Sequence, residues 1–406
     1  MAFNNSINFA AVFNRILDEK FYILPRTMWM ENTDPSIVWT GGKEIKIPKL
    51  SMNGLGNMNG YKAPDGDLAL GYETKQLQWY RGRNFAIGRY EMDETNMALT
   101  VGNALNVFLK EHVVPEVDRL RIAELAQNAL NYGRVTAQAQ ASITTANILS
   151  LLLADIAKVQ DKIGEGEQLY IQISTTLKNL LEQSTQITRY LNVKDFQIRS
   201  ATLRLEAIND QYLIGTPSSY MNSVCKVLDG VSSGQTVGGV TFENLGPAVN
   251  WIVSARPVAD AVTRPQITKV IDPDVNQEGE FWKIMFSIYH GMWTMDNKAD
   301  GVIVNMDTTL GAFTVQSAAG TVTNGDSILT VNAAVSESTK LVWKAASGTA
   351  PSVTFGTALT TANGWADLPA SGLINTTNDY KVTVALVGKD SLLPLAAGDA
   401  TVVAKT

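Results

Sequence analysis

The segment from Val249 to Asn305 constrains this chain more than any other, because apolar runs and chain breakers alternate along it at a spacing that suits strands joined by fixed turns. It reads VNWIVSARPVADAVTRPQITKVIDPDVNQEGEFWKIMFSIYHGMWTMDNKADGVIVN. An apolar run, Trp251 to Val253, leads into Arg256-Pro257. A short helical pattern then ends at Arg264-Pro265, and Asp272-Pro273-Asp274 punctuates before two further strand-like runs. The block reads as buried edges and rigid turns, without the usual marks of a catalytic site.

A chain of 406 residues with 45% hydrophobic content buries a large core and divides into two or three domains. Its formal charge of −6 leaves no overall basic footprint for holding nucleic acid across the whole surface. The single cysteine, Cys225, excludes an intrachain disulfide and any multi-cysteine metal site, which suits a reducing cytoplasm. The N-terminus lacks a basic stretch followed by a clean apolar core, and no window approaches the roughly 18 apolar residues of a membrane span. A soluble, unsecreted protein is expected.

Residues 1 to 40 combine an amphipathic pattern (Phe9, Val12, Phe13, Ile16, Leu17) with aromatic residues Phe21, Tyr22, Trp29 and Trp39 around Pro25 and Pro35. Such a face needs cover, either from its own domain or from a neighbouring copy. Residues 41 to 92 place strand-like alternation (Glu44, Ile45, Lys46, Ile47) beside a tip rich in Gly, Asn and Asp. A long hairpin of this composition buries little of its own apolar surface and is marginal alone. It is read as lying on another chain, the competing reading being a loose surface hairpin.

From Asp93 the pattern turns helical: Asp93, Glu94 and Thr95 sit at the positive end, with Leu99, Val101, Leu105, Phe108 and Leu109 following at helical spacing. Pro115 removes a backbone donor and predicts a kink or break near Val113 and Val114, after which the pattern resumes to about Leu130. Between 141 and 285, helical and strand signals interleave: a helix at 144–162 closed by Gly164, a strand at 169–174, a helix at 175–189 and an alternating run at 198–205. Beyond Arg264 no arginine occurs, and after Asn305 charge thins while Ala, Thr, Ser, Gly and Val dominate. Alternating runs at 313–315, 327–331, 340–343, 352–355, 380–386 and 401–404, with turn signals at Asn324-Gly325 and Asn363-Gly364, predict a small β-sandwich anchored by Trp343 and Trp365. An elaborated β-barrel is the alternative.

Candidate chemistry is sparse. His112 and His290 lie in helical or apolar settings without a Cys or His partner at ligand spacing, so both read as structural. No nucleophile-elbow, zinc-protease or phosphate-loop phrase appears, and the GQTVGG stretch at 234–239 lacks the lysine a phosphate cradle needs. Asp272 and Asp274 flank Pro273 and are read as a turn in preference to a cation site. Cys225 has no activating neighbour beyond Lys226 and reads as a small buried hydrophobe.

The 249–305 block resembles the C-terminal half of the major capsid proteins of tailed bacteriophages, in which a small-residue helix, an IDPD-NQ phrase, an aromatic WK…YH run and an NK-led strand recur in this order. Here these are Ile271 to Asp274 with Asn276-Gln277, then Trp282-Lys283, Tyr289-His290 and Asn297-Lys298. A second match, Trp79 to Ala126, has the coat-protein order of an elongated loop followed by a long helix broken at VVPEVD. TPSSYM, ending at Met221, is similar to the family's PSSRM turn, with Tyr220 where a basic residue is frequent.

The resemblance implies an α+β, Hong Kong 97-type capsid fold. Its parts would be an N-terminal arm at 1–40, an extended loop at 41–92, a spine helix and peripheral domain at 93–140, an axial domain at 141–285 and return strands of the peripheral domain at 286–305. An immunoglobulin-like β-sandwich would follow at 306–406, outward-facing and removable without loss of assembly, with polysaccharide attachment as a candidate role. The implied function is structural: self-assembly through hexamers and pentamers into the icosahedral head shell of a virion, enclosing double-stranded DNA on its inner face. A separate scaffolding protein and a portal are the expected partners, with a decoration protein as a further one. Neither enzyme activity, cofactor, metal nor membrane is implied, and assembly belongs in the host cytoplasm. An encapsulin-like nanocompartment shell is the alternative, and a tail-tube protein a third reading that the long helix disfavours. Candidate inter-subunit contacts are Phe21, Tyr22, Trp29, Trp39, Lys49, Lys62, Arg81, Arg83, Arg89, Glu91, Asp93 and Glu94. The basic members are read as pairing with acids of adjacent subunits, direct DNA contact being the alternative. Some capsids link lysine to asparagine between subunits; Lys49, Lys62 and Lys75 lie where such chemistry would sit.

Overall fold

The computed structural model describes residues 25–31, 44–58, 60–62, 64–94, 100–184, 191–198, 201–208, 211–241, 245–264, 267–321 and 323–405. The expected N-terminal helix and the capping residue Thr95 lie outside them. In chain order the first elements are strands β1 (Glu44–Met52), β2 (Leu68–Gln76) and β3 (Trp79–Gly88), helix α1 (Arg89–Glu94), and helices α2 (Val101–Phe108) and α3 (Val114–Asn131). Next come β4 (Val135–Ala137), α4 (Ile148–Ile163), β5 (Leu169–Ser174), α5 (Thr175–Glu182), β6 (Leu191–Ile198), β7 (Ala201–Ile208), β8 (Gln211–Thr216), β9 (Lys226–Val227), β10 (Val240–Thr241) and β11 (Val249–Ala255). Then follow β12 (Ala259–Thr263), β13 (Ile267–Ile271), β14 (Phe281–Thr294) and β15 (Val302–Met306). The last are β16 (Gly311–Ala312), β17 (Val315–Ala319), β18 (Asp326–Val331), β19 (Thr339–Ala346), β20 (Ala366–Asp367), β21 (Leu373–Asn375), β22 (Lys381–Gly388) and β23 (Pro394–Thr401).

Among the described residues, two compact units form: one from 31–101 and 261–293, the other from 25–30, 102–260 and 294–405. In the first, β1 and β2 make a separate two-stranded ribbon, while β3, β12 and β13 assemble on the long strand β14. Along β14 the residues Ile284, Phe286, Ile288 and His290 are buried and their neighbours half-buried, the alternation expected of a sheet with one covered face. The short helical pattern predicted before Arg264-Pro265 is instead strand β12: Ala259 to Thr263 is too short for a stable helix and gains partners on β14. The expected boundary between 285 and 286 falls inside β14, because a single continuous strand serves the whole sheet.

The second unit is built on a seven-stranded sheet in the order β4-β15-β11-β5-β8-β7-β6. Every residue of β5 and β11 is buried, as in strands covered on both faces, which explains why their sequences are mostly apolar, with only Gln172, Ser174, Asn250 and Ser254 interrupting them. The single alternating run expected at 198–205 resolves into the antiparallel pair β6 and β7, in register from Leu191↔Ile208 to Ile198↔Ala201. Helix α4 covers the sheet with Ile148, Leu149, Leu152, Ile156 and Val159, and ends where Gly164 adopts φ 86° and donates to the Gln160 carbonyl at 2.7 Å.

Pro115 does not break the helix. The turn before it, Leu109–Val113, widens to π geometry, with the Val114 N–H donating to the Leu109 carbonyl, and the chain continues as α3. Widening absorbs the missing donor and lets the helix run on into turns that bury Asp118, Leu120 and Ile122. Around α3 the polar residues are as covered as the apolar ones: Asp118, Arg121, Glu124 and Gln127 are each at most 4% exposed.

Residues 311 to 401 form a five-stranded sheet, β16-β23-β22-β19-β20, and a three-stranded sheet, β17-β18-β21. Val315, Leu329 and Ile374 of the smaller sheet pack with Val382, Val384, Val402 and Ala404 in one core. Trp365 is buried in a second cluster with Val342, Leu359 and Val387, and Trp343 lies half-buried against the first. The run expected at 352–355 forms no strand, and Asn363-Gly364 turns with Gly364 in the left-handed region. These sheets are not hung loosely after a finished domain. The Ser338 hydroxyl donates to Glu124 at 2.6 Å, the Asn131 amide donates to the Ser338 carbonyl at 2.8 Å, and the Ser336 hydroxyl donates to Gln127 at 2.5 Å. Backbone approach is equally close: a Cβ on Gly388 would stand 2.6 Å from Asn131 Oδ1. The polar face of α3 is therefore the seat of the C-terminal sheets.

Candidate inter-subunit surface

The ribbon of β1 and β2 carries an apolar face that is exposed among the described residues. In its register Pro48 faces Tyr72, Leu50 faces Leu70 and Met52 faces Leu68, so period-2 alternation gathers these six side chains on one side. Leu50, Met52, Leu68, Leu70 and Tyr72 are 48%, 64%, 68%, 58% and 64% exposed. The tip adds Leu55, Met58 and Tyr61, all open to solvent. The opposite face sets Ile47, Lys49 and Ser51 against Glu73, Gly71 and Ala69. A contiguous apolar face of this kind marks an interaction surface, since soluble monomers rarely leave one uncovered.

The sequence-based contact residues divide sharply by location. Phe21, Tyr22 and Trp39 lie outside the described residues, as do the side chains of Asp93 and Glu94. Trp29 is corrected from surface candidate to core residue: it is 3% exposed and stacks on Tyr170 with ring centroids 4.7 Å apart and planes 2° from parallel. The segment that carries it is pinned by Asp118, whose carboxylate accepts the Arg26 N–H at 2.8 Å, the Thr27 N–H at 3.2 Å and the Thr27 hydroxyl at 2.5 Å. Burial pushes the Asp118 carboxyl above its usual range, opposed by those hydrogen bonds and by Arg121.

The charged candidates are in part already paired within the chain. Arg89 donates to Asp274 at 3.0 Å, both side chains remaining exposed, which gives the second aspartate of the IDPD turn a partner within the chain. Asp272 supplies that turn's carbonyl to the N–H groups of Val275 and Asn276. Glu91 accepts the Gly88 N–H at 2.7 Å and so closes the start of α1 in place of facing a neighbour. Arg81 and Arg83 stand on β3 opposite Ile288 and Phe286. Lys49 lies on the ribbon's polar face, and Lys62 is an exposed tip residue 4.0 Å from Asp65.

Chemistry elsewhere is structural. His290 is fully buried and packs at 5.1 Å on Trp79. Burial pushes the Cys225 thiol up to about 12, with Glu124 and Glu116 adding to the rise, which removes the thiolate that reactivity needs. Asp155 sits under the sheet and accepts Trp251 Nε1 at 3.0 Å, Thr136 Oγ1 at 3.0 Å and Asn305 Nδ2 at 3.3 Å, with Lys158 at 3.0 Å. Sequence reading missed this hub: Asp155 falls on the buried stripe of α4, and a lone acid at an apolar position is the only signal it leaves. Among the described residues no cluster of three potential metal ligands forms, and no helix is long and apolar enough to cross a membrane.

No family model and no curated relative matches this chain. Solved structures do. A chain of Mycobacterium phage Che8 superposes with a TM-score of 0.50 at 10% identity, over 75% of this chain and 98% of its own. A chain from the capsid of the cyanophage P-SCSP1u gives 0.51 at 14% identity, over 74% and 93%. The mixed α+β architecture is thus one found in a phage capsid, and about a quarter of this chain lies outside each match.

Proposed function

We propose that the chain is a structural subunit of a phage head shell, building hexamers and pentamers around packaged double-stranded DNA and performing no chemical turnover. The observation that carries this reading is the apolar face of the β1–β2 ribbon, exposed among the described residues, which gains cover when laid across a neighbouring copy. The capsid-like fold supports it, because relatives of that architecture leave nearly nothing of their own length unmatched. In this reading the ribbon is the extended loop, α2 and α3 form the spine, and the seven-stranded sheet belongs to the axial part. The C-terminal sheets act as an immunoglobulin-like sandwich built onto the spine. A scaffolding protein and a portal complete the assembly.

Electron microscopy and native mass measurement of the purified chain test the reading. Closed shells are expected, and shells from infected cells carry DNA. A chain that stays monomeric at high concentration refutes the proposal. Closed shells that hold protein cargo and no DNA would assign the same fold to a nanocompartment instead.

A further inference from the structure

The chain holds four Asn-Gly pairs, at Asn53, Asn59, Asn324 and Asn363, of which Asn59 lies outside the described residues. Asn-Gly is the sequence in which a backbone nitrogen most easily reaches the preceding side-chain carbonyl, because the glycine has no Cβ to obstruct the approach. The three described pairs differ in how firmly that nitrogen is held. Gly325 donates to the Lys405 carbonyl at 2.9 Å, its own carbonyl accepts Thr376, and its φ is fixed at 88° against Asn375. Gly364 donates to the Thr361 carbonyl at 3.0 Å in the left-handed region, while Lys344 holds the Asn363 carbonyl at 2.7 Å. Gly54 is different. Its N–H donates to no group among the described residues, no atom stands within 4 Å of where a Cβ would lie, and Asn53 beside it is exposed.

We infer that Asn53 is a site of spontaneous deamidation in the free chain, selected over Asn324 and Asn363 by the unheld Gly54 nitrogen. The Gly54 nitrogen gives its proton to solvent base and attacks Asn53 Cγ. The new N–Cγ bond forms as the Cγ–Nδ2 bond breaks, ammonia leaves, and a cyclic imide results. Water then adds to one imide carbonyl and that carbon's bond to the ring nitrogen breaks, the nitrogen taking back a proton: cleavage at Cγ leaves aspartate, cleavage at the Asn53 backbone carbonyl leaves isoaspartate, and nothing is oxidised or reduced. Isoaspartate lengthens the main chain beside the Asn53 N–H to Asp67 carbonyl bond, 3.3 Å, next to the Met52–Leu68 pair that ends the ribbon. Either product adds a negative charge to a tip that already carries Asp65 and Asp67. Ageing therefore strikes the element that the proposed function lays across a neighbour. That consequence rests on the shell reading, whereas the reaction itself does not.

The experiment is peptide mapping by mass spectrometry of purified chain held at mildly alkaline pH, following amide-to-acid conversion at Asn53, Asn324 and Asn363. A hydrogen bond that must open first slows a step by roughly 3- to 10-fold, so conversion at Asn53 is expected to lead by at least that factor. Gly54→Ala, whose methyl has open space, is expected to slow Asn53 and leave the other two unchanged. Equal or slower conversion at Asn53 in the free chain overturns the inference. A second arm compares free chain with assembled particles: slower conversion in particles supports the ribbon being held on a neighbour. An unchanged rate there would sink the docking reading while leaving the reactive site intact.

Discussion

Replacing Leu50 and Leu70 together by serine separates the two things an apolar ribbon can be for. Both side chains are already about half exposed in the chain, at 48% and 58%, so their loss removes little that holds the free subunit together. Surface changes of this kind stay within about 0.5 kcal/mol. On docking the arithmetic reverses. Full burial of a leucine contributes about 1.5–3 kcal/mol, and roughly half of that remains to be gained at each position, giving about 1.5–3 kcal/mol for the pair per subunit contact. At about 1.4 kcal/mol per tenfold, each contact weakens by roughly 10- to 150-fold, and a closed ring repeats the loss at every interface. The expected pair of results is an unchanged thermal midpoint for the free chain and loss of shells by sedimentation and microscopy. A fall of several degrees in the midpoint would show that the ribbon packs on its own chain. Normal shells would show that its apolar face is not a contact.

Other consequences follow from the second unit. Gly388→Val should lower stability by about 1–3 kcal/mol in chemical denaturation, since its Cβ would press on Asn131, Ser391 and Leu130 where the C-terminal sheets meet α3. Removing residues 307–406 should leave the chain insoluble, contrary to the sequence-based expectation of intact assembly, because Glu124, Gln127 and Leu130 lose their cover; soluble chain that forms shells would refute the seat on α3. Asp118 holds its proton in the folded state at a pH where the unfolded chain has released it, so its contribution is greatest below 3.8 and is lost as pH rises through its raised value. Asp118→Asn should flatten that part of the stability–pH curve; an unaltered slope places the titration elsewhere. Cys225, half-buried and with its thiol raised to about 12, should react slowly with alkylating agents at mildly alkaline pH, and rapid labelling of native protein contradicts the raised value.

How much was legible in the sequence depends on where each residue finds its partner. Strand β5 and the closing Gly164 were readable because a short, largely apolar run and a helix-ending glycine are local signals. The ribbon was readable for the same reason: alternation with a Gly-rich tip already says that such a hairpin cannot cover itself. Non-local pairings were not. Trp29 looks like any exposed aromatic until Tyr170, far along the chain, supplies the ring it stacks on, and Arg89 looks free until the IDPD turn presents Asp274. Helix α3 shows the limit most clearly. Its polar residues at Glu124, Gln127, Asn128 and Asn131 suggest a solvated face by the usual rule for amphipathic helices. Glu124 and Gln127 are instead buried and Asn128 and Asn131 half-buried, because serines more than 200 positions later bond to them, with separations of 214 for Glu124 and 209 for Gln127. The composition break near 306 coincides with the start of the two C-terminal sheets, yet independence does not follow from it. Low charge in the C-terminal sheets is what lets them press a polar seam against the helix without leaving an unpaired charge behind.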